Sequence, residues 1–298
     1  MVRRVGLDDV AEHNRRMWDR LATASIPYTR PRGTPPASAA AKRRFLDRLT
    51  NGRIAGIPLR AARALSLAGG GGWEPVLLAE LGAETTLFDI SARQLRTVRE
   101  VARERGTRLR YVQGDMRELS AFPDKAFDLV LQCHSLVFVP DAARVIAEVG
   151  RVLADGGTYV ASTMHPVTIR MYETWTGTGW NLKLPYGSDA PIPYADATWE
   201  FGGTRIEAKT LEYGHRISDL INACAAAGMM VEGFWEWTPP WARGGGVEGS
   251  DERLDSLMPA FIELRARKVP ATAPSAPAAR SGRPGRARRP PGTVSRRR

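Results

Sequence analysis

The residues best suited to chemistry stand at the ends of short apolar runs. Gly69-Gly70-Gly71-Gly72 follows the run Arg63–Leu67, and glycines there let the backbone approach a ligand where any Cβ would collide. Asp89 closes the next run, Thr85–Asp89, and a carboxylate can accept two hydrogen bonds at once. Gly114-Asp115-Met116 follows Leu109–Gln113. His134 comes just after Phe127–Leu131, and His165 just after Thr158–Met164. An imidazole with a pKa of about 6.5 suits proton removal near neutrality. Tyr28 lies in a Pro- and Gly-rich loop ahead of all of these. The two cysteines, Cys133 and Cys224, have no metal-ligand spacing and read as reduced thiols of a cytosolic protein.

The glycine run has one strict test. A dinucleotide fingerprint, G-x-G-x-x-G, would need a third glycine at 74 or 75, where the chain has Glu74 and Pro75. A pyrophosphate-binding turn is therefore excluded.

These residues need a scaffold, and its pattern is visible. Short apolar runs alternate with helical periodicity, which predicts βαβ units and a parallel sheet. An amphipathic helix is expected to begin at Asp9, with Glu12 completing a capping box, and a second helix over Ala39–Leu49. Ser91 and Gln94 form another capping box, and Asp141 caps a helix bearing Val145, Ile146, Val149, Val152 and Leu153. Asp155-Gly156-Gly157 turns into a fifth strand. A helix over 218–227 and two closing strands, Val231–Trp235 and Phe261–Arg267, complete the pattern. Between them, residues 165–210 break the rhythm. They hold Tyr172, Trp175, Trp180, Tyr186, Tyr194, Trp199 and Phe201, which predicts an acceptor-side aromatic lid, the alternative being an extra hairpin whose aromatics form its own small core or a dimer face.

The segment Ser66-Leu67-Ala68-Gly69-Gly70-Gly71-Gly72 resembles motif I of the class I S-adenosylmethionine-dependent methyltransferases, with Ser66 in place of the usual acid and Ala68 in place of the first glycine. Phe127-Asp128-Leu129-Val130 resembles the family's fourth-strand motif, and Leu153–Gly157 its turn before strand five. The resemblance covers roughly residues 60–268 and implies a Rossmann-like, doubly wound α/β fold with a mostly parallel seven-stranded sheet. It implies S-adenosylmethionine as cofactor and S-adenosylhomocysteine as product. It places Asp89 on the ribose hydroxyls, with Ile90 and Gln94 beside it, and Asp115 with Met116 at the adenine. It assigns Ala68, Gly69, Gly70 and Gly72 to the turn around the cofactor, with Cys133 also in contact.

In an open α/β sheet, ligands lie outside the carboxyl ends of the strands. That position makes His165 the first candidate for a catalytic base, with His134 and Tyr28 after it; each also has the plainer reading of a loop-bonding or packing residue. The expected activity is methyl transfer to a small, aromatic or heterocyclic organic acceptor, with O-, N- and C-methylation all open.

Composition sets the remaining bounds. The chain has 298 residues and a net charge of +11, but eight arginines and no acid fall within 269–298, leaving +3 for the rest. That tail is too poor in apolar side chains to fold and is expected to be disordered, either as a polyanion tether or as a compositional extension. The expected division is a helical cap over 1–60, a core over 61–268 with the insert at 165–210, and the tail. No run approaches the ~20 apolar residues of a membrane span, so a cytoplasmic monomer or homodimer is expected. A nucleic-acid methyltransferase is the first rival, through the tail alone, since Gln132-Cys133-His134-Ser135 lacks the N/D-P-P-Y pattern of base-amine enzymes. A non-catalytic S-adenosylmethionine-binding protein is the second.

Overall fold

A computed structural model describes residues 8–194, 198–201 and 204–270, so the expected tail lies outside the described residues from 271 onward. The chain opens with α1 (Asp9–Thr23) and α2 (Ala39–Leu49). Then β1 (Arg63–Leu67), α3 (Glu74–Glu80), β2 (Glu84–Asp89), α4 (Ala92–Glu104), β3 (Arg110–Gln113) and β4 (Phe127–Gln132) follow. After α5 (Ala142–Val152) and β5 (Leu153–Met164) come a hairpin of β6 (Thr198–Phe201) and β7 (Thr204–Glu207), then α6 (Ile217–Ala226). The chain closes with β8 (Met229–Trp237), α7 (Asp251–Leu257) and β9 (Phe261–Lys268).

Seven strands form one sheet in the order β3-β2-β1-β4-β5-β9-β8. The first five pair in parallel, while β9 runs antiparallel between β5 and β8. Strands covered on both faces need apolar side chains on both, and β2 is buried from Thr85 to Asp89 without alternation. Leu65, Leu67, Val130 and Tyr159 pack under α5 and α6 on one face. Ala64, Leu129, Leu131 and Val160 pack with Leu46, Leu77 and Leu78 of α2 and α3 on the other. The doubly wound fold expected from the alternating pattern is the one observed.

Two capping boxes form differently from the sequence expectation. Asp8 rather than Asp9 caps α1, accepting from the Ala11 N–H at 2.9 Å, and Glu12 turns to Arg15 at 2.6 Å. A charged partner one turn along outcompetes the backbone N–H. Ser91 does accept the Gln94 N–H at 3.1 Å, but the Gln94 side chain leaves the cap. With its amide oriented by the surrounding acceptors, it donates to the carbonyls of Thr29 at 2.8 Å and Gly70 at 3.0 Å.

The α1 helix is bolted across the carboxyl ends of the strands by buried polar contacts. Asn14 Nδ2 donates to the carbonyls of Phe138 (2.9 Å) and Leu211 (3.0 Å), and its Oδ1 accepts from the Leu211 N–H at 2.8 Å. Asp19 accepts from Ser91 Oγ at 2.6 Å. Arg117 bridges Asp8, at 2.7 and 2.9 Å, to Asp115, at 2.6 Å. Truncating Asn14 would strand a buried N–H and two carbonyls. Asn14→Ala is therefore expected to cost about 2 kcal/mol, read as a lower urea midpoint with an unchanged slope.

Candidate functional site

The strand order reverses between β1 and β4, so the loops leaving their carboxyl ends diverge and open a crevice. A cavity of about 700 Å³ occupies it. That lies within the roughly 300–1,000 Å³ of small-molecule sites. Its floor and one end are the glycine turn, Asp89, Ile90, Gln94, Asp115 and Met116; Cys133 and His134 line it from β4, and Tyr28 from the N-terminal loop. All ten cofactor candidates named from the sequence share this cavity with Tyr28 and His134.

His165 does not line it. Side chains alternate along a strand end, and Met164 takes the cavity side, so His165 faces away. Its Nε2 lies 3.0 Å from Glu236 Oε1, and its backbone N–H donates to the Ala260 carbonyl at 2.8 Å. These contacts make it a buried tie between β5 and the last two strands.

The geometry around Asp89 is the most demanding part of the site. Oδ1 accepts from the Ser91 N–H at 2.9 Å and Oδ2 from the Gly70 N–H at 3.0 Å. Burial pushes this carboxyl up to about 6, against the lowering effect of those two N–H groups. A Cβ on Gly70 would fall 2.5 Å from Gln94 Cβ and 2.8 Å from Asp89 Oδ2, so glycine is required for the turn to close on the strand. One Cβ on Gly71 would overlap the Tyr28 carbonyl, which brings the N-terminal loop over the turn. Ala68 adopts φ +50°, the left-handed region in which the motif's glycine would be free of strain.

Asp115 lines the cavity, but its carboxylate is shared. Arg117 donates to it from Nε at 3.1 Å and from Nη2 at 2.6 Å. The His134 side chain is exposed to the cavity, and its ring stands edge-on to Phe261 at 4.6 Å.

Several lining residues carried no functional signal in the sequence. Trp18 meets Phe138 edge-on at 5.1 Å and Trp199 at 6.2 Å, and Trp199 meets Tyr28 at 6.0 Å. Trp237 stacks on Phe261 at 5.1 Å across the cavity's other wall. Of the insert's described aromatic side chains, only Trp199 lines the cavity; that of Phe201 lies outside the description. Trp175 pairs with Trp180, while Tyr172 donates to Asp255 and Tyr194 to Glu212. The insert thus largely forms its own small core. Glu212 and Glu74 also line the cavity, and burial raises both carboxyls. In the sequence, Glu74 signals only that a dinucleotide fingerprint is incomplete.

A buried carboxylate that keeps a lone pair on each oxygen suits a vicinal diol, and the apolar floor of Phe88, Ile90 and Met116 suits a flat base. Both are parts of an adenosine, so the residues fit an adenosine-bearing cofactor.

Comparison with known proteins gives the class. Residues 65–161 match the family described as "Methyltransferase domain". Among solved structures, an S-adenosylmethionine-dependent methyltransferase from Mesorhizobium loti superposes with a TM-score of 0.55 at 22% identity, over 74% of this chain and 97% of that one. The chain is 31% identical to an uncharacterized methyltransferase, YbaJ, of Bacillus subtilis, over 71% of this chain and 78% of that protein. The chain therefore belongs to the class I S-adenosylmethionine-dependent methyltransferases, and S-adenosylmethionine is its cofactor. It is also 34% identical to a ubiquinone biosynthesis O-methyltransferase of Methylococcus capsulatus, over 36% of this chain and 45% of that one.

Two expectations follow. A diol bound at Asp89 would donate both hydroxyls more strongly to the charged carboxylate than to the protonated one, so such binding should favour the deprotonated form and release a proton near pH 6. Cofactor affinity is then expected to weaken about tenfold between a plateau above about pH 7 and a titration at about pH 5. Without ligand the sign is opposite. A folded-state carboxyl raised from 3.8 to about 6 makes this group's contribution to stability fall as pH rises through that interval. Separately, Ala68→Gly should stabilise the protein by about 0.5–1 kcal/mol, because relief of the left-handed strain outweighs the added chain entropy. Chemical denaturation would check it.

Proposed function

We propose that this protein methylates a small aromatic or heterocyclic organic acceptor bound beyond the glycine turn. The observation that carries the proposal is the pair of aromatic walls, Trp18, Phe138, Trp199 and Tyr28 on one and Trp237 and Phe261 on the other. Such walls bind a flat molecule by offset and edge-on contacts. They also tolerate a neighbouring cation. A partial relative named for O-methylation in ubiquinone biosynthesis supports a small-molecule acceptor.

In this reading Asp89 accepts from the ribose hydroxyls, and Phe88, Ile90 and Met116 flank the adenine. Asp115 offers the lone-pair capacity left beside Arg117 to the exocyclic amine. Gln94 acts indirectly, tying the Tyr28 loop to the turn through Thr29 and Gly70. When bound, S-adenosylmethionine supplies an electrophilic methyl group on a sulfonium. Alignment of the acceptor is then the protein's main contribution.

A base is needed only for an acceptor that must lose a proton. His134 lines the cavity with its ring exposed there and edge-on to Phe261, one candidate for that base. Glu212 is a second. Tyr194 and Thr210 each donate to it at 2.9 Å, and its neighbours Leu211 and Tyr213 join it to α1 and to Val137 behind the aromatic wall.

The test is incubation with methyl-labelled S-adenosylmethionine and a panel of phenols, indoles, amines and acids, read by mass spectrometry. At least one flat acceptor should gain a single methyl group; a panel without product would overturn the reading. On that acceptor, Trp18→Ala should raise KM about tenfold while S-adenosylhomocysteine binds as before. His165→Ala should keep kcat near that of the unaltered protein, and a collapse of kcat in a folded variant would return His165 to the chemistry.

A further inference from the structure

The cofactor is a zwitterion at one end, with an α-ammonium and an α-carboxylate, and the chain must answer both charges. Ser66, at the end of β1, has no charge to offer. It is 1% exposed, and its Oγ lies where a Cβ on Gly69 would stand, directly beneath the turn.

Glu74 stands two residues past the last glycine, at the start of α3. Its carboxylate folds back over Gly72, into the space a Cβ there would fill. It lines the same cavity as the glycines, Leu131 and Cys133. Among the described residues it forms no ion pair, and its only recorded hydrogen-bond partner is its own backbone N–H. The contrast with the helix's other acid is clear: Glu80 is held by both Lys42 and Arg105. A half-buried carboxylate without a cation gains when a ligand supplies one. Burial raises this carboxyl; the nearby Cys133 thiol is raised by burial first and then by the charges of Glu74 and Glu263. Arg30 and Arg32 line the cavity from the loop laid over Gly71, so positive charge for a carboxylate is also present in its wall.

We propose that Glu74 is the counter-charge for the α-ammonium of S-adenosylmethionine, a positioning role that the strand-end residue Ser66 cannot fill. Gly72 is then needed for two reasons: it bends the turn and it leaves room for this carboxylate. The inference rests on the cofactor lying in this cavity and is independent of the acceptor.

The test is calorimetric binding of two ligands to the full chain and to Glu74→Gln and Glu74→Ala. S-Adenosylhomocysteine carries the amino-acid end; 5′-deoxy-5′-methylthioadenosine keeps the adenosine and the thioether but lacks it. Both variants should bind the first at least about tenfold more weakly and the second within about twofold of the unaltered protein. The ligand-free Glu74→Gln protein should melt no lower than the unaltered one, because the substitution removes a half-buried charge that has no cation beside it. Unchanged affinity for S-adenosylhomocysteine would overturn the assignment. Equal weakening of both ligands would also overturn it, showing that Glu74 only shapes the turn. Failure of the unaltered chain to bind either ligand would remove the cofactor from this cavity, and the proposal with it.

Discussion

Asp89 is a carboxylate with no side-chain cation among the described residues, enclosed at the end of a strand and held by the N–H groups of Gly70 and Ser91. Those two bonds join β1's turn to the start of α4 and draw them together over one negative group. They do not fully offset its burial, which is why the carboxyl titrates near 6. The arrangement is stable enough to exist and incomplete enough to need donors from a ligand. The glycines, the Gln94 amide and the crossing loop at Tyr28 are all arranged around this constraint.

The N-terminal helix closes the site by a related logic. Asp8 caps α1 and at the same time anchors Arg117, whose other side rests on Asp115. Helix position and the geometry at Asp115 in the cavity wall are therefore coupled through one guanidinium. Asn14 and Asp19 set the rest of the helix against Phe138, Leu211 and Ser91. The cavity wall built on Trp18 inherits its position from these polar bolts, because aromatic contact alone fixes no register.

Much of this was legible in the sequence. Strand ends announce themselves by apolar runs that stop at Gly, Asp or Asn-like residues, so the glycine turn, Asp89 and Asp115 could be placed before any coordinates. Sidedness was not legible. Met164 and His165 are adjacent, and only the pleat of β5 decides which of them meets the cavity. Contacts between distant segments were equally hidden. Arg170, fully buried, donates to the carbonyls of Pro166, Ser188 and Gly214 and so organises the insert from within. Nothing in its local sequence separates it from a surface arginine. Trp18 and Phe261 have the spacing of core residues, and a cavity wall uses the same periodicity.

The departures from the family motif have different physical consequences. Ala68 keeps the backbone path of a glycine and bears the strain, since φ +50° at a residue with a Cβ is held in place by its surroundings. His134 shows the same φ where the chain leaves β4, the other side of the crevice. Both sharp turns stand where neighbouring strands send their loops apart, and that divergence opens the cavity. Ser66 is different, because no backbone adjustment restores a missing charge. A serine at this buried position leaves its hydroxyl under Gly69 and moves the demand for a carboxylate to the first residue of the next helix. There Glu74 faces the cavity across the space that Gly72 leaves open.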